Sequence, residues 1–122
     1  PQYAAMQWLL SSANIGIYKD ATLIQRYALA TVYYATGGEQ WLDSTSWLTD
    51  VSECEWYTSS TMGHICDMDE NLLELNLKGN GLTGSLPPEL NLLSNSLTTL
   101  HLGENKISDF SDILLWKCGV VS

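Results

Sequence analysis

The side chains of this 122-residue chain that are able to do chemistry are few: His64 and His101, Cys54, Cys66 and Cys118, and an acidic run of Glu53, Glu55, Asp67, Asp69, Glu70 and Glu74. Catalysis requires a nucleophile or base, its orienting partner and a charge stabiliser at fixed separations. The chain has no G-x-S-x-G, no HExxH and no phosphate-cradling glycine loop. It therefore reads as a non-enzyme that needs no cofactor. The acidic run also lacks the D-x-[DN]-x-[DN]-G spacing of a calcium hand. A solvated acidic face, able to attract a basic partner, is the better account of it.

Cys54 and Cys66 flank a polar loop containing Thr58, Ser59, Ser60, Thr61 and Gly63, a setting suited to a local disulfide. Zinc is the rival reading. It would need two more ligands, and although His64 lies beside Cys66, nothing follows at CxxC or HxxxH spacing, so no metal is expected. Cys118 has no evident mate, which leaves a buried thiol, an intermolecular bridge or a more distant partner open. A disulfide places the protein outside the cell, at the cell surface or in another oxidising lumen.

Five Lys and Arg against fourteen Asp and Glu leave a net charge of −9, which repels phosphate and excludes nucleic acid as a natural partner. With 45% hydrophobic residues, five Trp and six Tyr, the chain has enough apolar surface to fold, and its length suits one domain. No apolar run is long enough to span a bilayer. Starting at Pro1 with no basic flank and apolar stretch, the chain reads as a processed or excised piece of something longer.

These residues must be positioned by the surrounding elements. From Gln2 to Ser12, Tyr3, Met6, Leu9 and Leu10 recur at helical spacing, with Ala5 and Trp8 on an adjoining strip. Asp20 can cap a second helix with a face of Leu23, Ile24, Tyr27, Ala28, Thr31, Tyr34 and Ala35, ended by Gly37-Gly38. Trp41-Leu42 and Trp47-Leu48 read as core rings, because no basic residues interleave them. The helical leader should cover the open end of the leucine-rich stretch that begins at Leu72.

That stretch is periodic. Leu72, Leu75, Leu77, Asn80 and Leu82 recur, 25 positions on, as Leu97, Leu100, Leu102, Asn105 and Ile107. L-x-x-L-x-L-x-x-N-x-L is the leucine-rich-repeat pattern, in which each turn supplies a short parallel strand and a convex segment to a stacked coil. Leu75, Leu77, Leu100 and Leu102 then point inward from residues 74–78 and 99–103, and Asn80 and Asn105 form a ladder of hydrogen bonds to the backbone. Two leucine-rich helices are excluded by Gly79, Gly81, Gly84 and Pro87-Pro88.

On these residues the chain resembles plant-type leucine-rich repeat proteins, whose repeat reads LxxLxLxxNxLxGxLPxEL. Trp47-Leu48, Cys54-Glu55-Trp56 and Gly63-His64-Ile65-Cys66 resemble that family's N-terminal cap, although Tyr57 to Met62 make a longer loop than the cap usually has. The leader, with Gln25-Arg26-Tyr27-Ala28-Leu29-Ala30-Thr31 and Tyr33-Tyr34-Ala35-Thr36-Gly37-Gly38, is similar to predicted surface leucine-rich repeat proteins of diatoms. The expected fold class is α/β: about two turns of a repeat solenoid with parallel strands, preceded by a helical, disulfide-bonded cap. The expected parts are a cap over 1–71, repeats over 72–107, and a terminal segment or truncated repeat over 108–122, where Asp109 and Asp112 would start a short helix.

The expected function is recognition without catalysis. The strands would display Glu74, Asn76, Lys78, Thr99, His101 and Glu104 to a protein or peptide partner, with a basic one favoured by the charge. A structural accessory subunit, docked permanently in a larger assembly, is the alternative.

Overall fold

Leu75 and Leu77 alternate with polar neighbours, the period of a strand with one buried face, and the chain is extended there. The computed structural model describes residues 1–58 and 63–109. In these, mixed α/β structure is built from helices α1 (Gln2–Leu10) and α2 (Asp20–Ala35) and strands β1 (Glu74–Asn76), β2 (Thr83–Ser85), β3 (Thr99–His101) and β4 (Lys106–Asp109). A 3₁₀ helix, Pro88–Leu93, links β2 to the return toward β3.

β1 and β3 pair in parallel, Glu74 with Thr99, Leu75 with Leu100 and Asn76 with His101. Each pair lies one 25-residue period apart, so like stacks on like. The ladder runs on past the strands, with Leu77 N–H donating to the His101 carbonyl and Gly79 N–H to that of Gly103. β2 and β4 form a second parallel pair not anticipated from the leucine spacing, with a register shift between Gly84 and Ser85. Asp109 ends β4 rather than starting a helix. The rest of the expected terminal helix, and Cys118, lie outside the described residues.

Leu72, Leu75, Leu77, Leu82, Leu90, Leu100 and Leu102 are buried between the sheets and the leader. Trp41, Trp47 and Trp56 continue this core. Trp41 meets Trp47 edge-on at 4.8 Å between ring centroids, and Trp47 tilts against Trp56 at 5.1 Å, arrangements that suit the ring quadrupoles.

Both leader helices are rotated from the faces expected of them. In α1 the buried residues are Ala5 and Leu9, with Trp8 half-buried, whereas Tyr3, Met6 and Leu10 are exposed. Trp8 sets this rotation: its indole N–H donates to the Leu48 carbonyl and its ring packs edge-on against Trp56. In α2 the buried strip is Gln25, Arg26, Ala28, Leu29, Ala30, Thr31 and Val32, while Ile24 is exposed. Here two polar side chains decide the rotation. The Gln25 amide donates to Glu53 Oε1 and the Glu70 carbonyl and accepts from Leu72 N–H, which ties helix, loop and first turn together. Helix α2 starts at Asp20 itself, one residue earlier than a cap at Asp20 would place it, with Lys19 in the capping position.

Gly37 stops α2 with φ of 72°, a conformation that favours glycine. Gly84 has φ of 79°, and a Cβ there would lie 2.9 Å from the Ala35 carbonyl oxygen. Helix end and strand can therefore approach this closely only without a side chain. Cys54 and Cys66 form the expected disulfide, with 5.7 Å between their Cα atoms. No helix among the described residues is long and apolar enough to cross a membrane.

Candidate functional site

Parallel pairing brings the polar residues of β1 and β3 onto one face. Asn76 and His101 stand opposite each other and Thr99 lies one pleat away, all half-buried. Lys78 and Glu104 extend the face into solvent, with side chains 59% and 73% exposed and Nζ 4.0 Å from Oε1. An exposed pair at that distance is worth at most about 1 kcal/mol, so both charges stay available.

Glu74 departs from expectation. Its side chain is fully buried, so it is not displayed from the strand. Its Oε2 lies 3.3 Å from His101 Nε2, and its backbone carbonyl accepts a hydrogen bond from the Tyr57 hydroxyl. The covering ring belongs to the segment after Cys54, which the disulfide pins to Cys66 at the head of the repeat. A carboxylate in such surroundings requires polar partners, and the half-buried imidazole on the adjacent strand is one. Burial pushes the Tyr57 phenol well above its ordinary pKa, and the charge of Glu74 adds to the effect.

The acidic run divides in the same way. Glu53 is buried, with Oε2 2.7 Å from Arg26 Nη1, and is not part of a solvated face. Arg26 also donates to the carbonyls of Thr49 and Val51, and its guanidinium lies about 5 Å from the rings of Trp8, Tyr18 and Trp56. Glu55, Asp69 and Glu70 are exposed. Asp67 accepts N–H bonds from Asn71 and Asp69, which hold its carboxyl below the usual carboxylate range. Among the described residues no three His, Cys, Asp or Glu side chains gather into a possible metal site.

Beneath the face, Asn105 ties the segment after β1 to the segment after β3. Its Oδ1 accepts from Asn80 and Leu82 N–H, and its amide donates to the carbonyls of Leu77, Leu102 and Gly103. Asn80 repeats the motif one level earlier, donating to the Asp43 carbonyl and accepting from Asp43 N–H. The segment around Leu42-Asp43 is thus bonded to Asn80 much as residues 77–82 are bonded to Asn105.

One feature of the face went unread in the sequence: a cleft of about 140 Å³ beside Asn76 and Lys78, walled by Asp43, Tyr57, Thr58 and the edges of Trp47 and Trp56. The tryptophans pack as core, yet part of their edge reaches this surface. The stacking of Tyr57 on Trp47, at 6.3 Å between centroids, and the contact of Trp47 with Trp56 bring the two segments together. The chain matches no family model, no curated protein and no solved structure.

Proposed function

We propose that the protein is a recognition module of leucine-rich-repeat type, acting outside the cell or in another oxidising lumen, that binds a protein or peptide through the open face of β1 and β3. The observation that carries this reading is the one-period parallel register of the two strands, which sets polar side chains in rows above a closed leucine core. Such a surface recognises by shape and charge. Asn76, Lys78, Thr99, His101 and Glu104 are the contact residues, and Tyr57, Thr58 and Asp43 frame the cleft in which a partner side chain anchors. Glu74 acts from below, as a neighbour that orients His101 rather than as a contact. The disulfide supports the oxidising compartment.

The test is site-specific photo-crosslinking in native extract, from Lys78 on the face and from the exposed Ser11 at the end of α1. The expected result is one product specific to Lys78, competed by unlabelled protein and weakened at least tenfold by Asn76→Ala combined with His101→Ala. Equal crosslinking from both positions, or competition by the double variant as strong as by the native chain, overturns it.

A further inference from the structure

On α2, away from the β1–β3 face, lies a groove of about 450 Å³ between the helix and the 3₁₀ segment Pro88–Leu93. We propose that this groove is a second docking surface, for a peptide segment that combines an aliphatic side chain with a lysine or arginine.

Its apolar character comes from Ala21 and Ile24 on α2 and from Leu73, Leu92 and Leu93 opposite. Ile24 and Leu92 remain 47% and 49% exposed. Rotation of α2, imposed by Gln25 and Arg26, is what turns Ile24 outward to this position. The walls are preformed: Leu93 is buried in the core, and Gln25 is bonded to the loop and to Leu72 N–H. An aliphatic side chain entering the groove covers both exposed residues with little ordering cost.

Charge selects the occupant. Among the described residues Asp67 is the only charged one lining the groove, and Asp69 and Glu70 are exposed on the same loop. Among the described residues Asp67 Oδ1 is engaged by two backbone N–H groups, whereas Oδ2 has only a long contact of 3.4 Å with the Asn71 amide. Those bonds hold the carboxyl ionised while leaving Oδ2 able to accept from a cation. None of Lys19, Lys78 and Lys106 lines the groove, and the chain carries −9 overall, so an acidic segment or an anionic lipid surface is repelled.

The experiment is an amide chemical-shift titration of the full chain with a short capped peptide holding two leucines and one arginine, and with its counterpart holding glutamate in place of arginine. Saturable shifts are expected at Ile24, Asn71, Leu92 and Asn95, with the glutamate peptide bound about fivefold or more weakly. Asp67→Asn keeps the Oδ1 acceptor and removes the charge, and should weaken the arginine peptide about fivefold while leaving the glutamate peptide no weaker. Leu92→Gln, a change at a half-exposed site, should weaken both about tenfold. Shifts confined to Asn76, Lys78 and His101, equal affinity for the two peptides, or full affinity in both variants each overturns the proposal. Because the groove and the β1–β3 face share no residue, failure here leaves the face untouched.

Discussion

Replacing Arg26 with leucine tests the least conventional part of the leader. The guanidinium is 1% exposed, bonded to Glu53 Oε2 at 2.7 Å and to the carbonyls of Thr49 and Val51, and ringed by Trp8, Tyr18 and Trp56. Leucine removes the charge and those donors together. Glu53 then keeps the Gln25 amide, and the Val51 carbonyl keeps the Trp56 indole N–H. A buried carboxylate that has lost its cation dominates the cost, and removing one member of such a pair typically destabilises by about 3–5 kcal/mol. That is a large share of the roughly 5–15 kcal/mol that holds a domain folded. Urea unfolding followed by tryptophan fluorescence reads it directly, since Trp8 and Trp56 touch the site. With a denaturant slope of about 1.5 kcal/mol per molar, the midpoint should fall by about 2 M or more. Replacing Glu53 with leucine as well should recover part of the loss, because the stranded charge is gone. A single variant that loses less than about 1 kcal/mol, or a double variant that loses the sum of both singles, would refute the account of Arg26 and Glu53 as one interdependent unit.

Three further outcomes are expected. Cys54→Ser with Cys66→Ser should cost about 3 kcal/mol from the loop-closure relation, seen as a lower melting temperature in the variant and in reduced native protein, with no effect of reductant on the variant. Asn105→Ala strands the Asn80 and Leu82 N–H groups and the carbonyls it serves, so a loss of about 2–4 kcal/mol is expected in urea unfolding, with Asn105→Asp keeping the acceptor and part of the stability. The Tyr57 phenol, raised above its ordinary pKa of 10.0, stabilises fully below that value and progressively less as pH rises past it, whereas Asp67, lowered from 3.8, stabilises above that value and less as pH falls below it. Melting temperature against pH should therefore drop at both extremes, Tyr57→Phe flattening the alkaline arm and Asp67→Asn the acid arm; unchanged arms would show that these groups do not set them.

What could be read from residues alone was whatever depends on local period and local geometry. Leucines recurring at fixed spacing imply a strand with one buried face, and a shared offset of 25 implies that like residues stack, so the register of β1 with β3 and the placing of Asn76 opposite His101 follow from counting. The disulfide was legible for a similar reason, since two cysteines around a polar loop next to the first repeat need only a short closure. Asn80 and Asn105 stood out because a polar residue at a fixed place among leucines must serve the backbone.

Where a face turns, or what covers a side chain, is decided by contacts between distant segments, and only the tertiary structure holds those. Tyr3, Met6 and Leu10 look like the inner face of α1 by period, yet the hydrogen bond from Trp8 to Leu48 and the packing of its ring turn that face outward. In α2 the polar Gln25 and Arg26 lie inside because their partners, Glu53 and Leu72 N–H, arrive from residues 27 and 47 positions along the chain. Glu74 occupies a strand position that points away from the leucine core, and it is nevertheless buried among Tyr57 and His101, because the loop after Cys54 folds back over it. Hydrophobic period reports which residues avoid water on average; a buried charge is held by a few directed bonds whose other ends lie far off in the chain, and no local pattern encodes them.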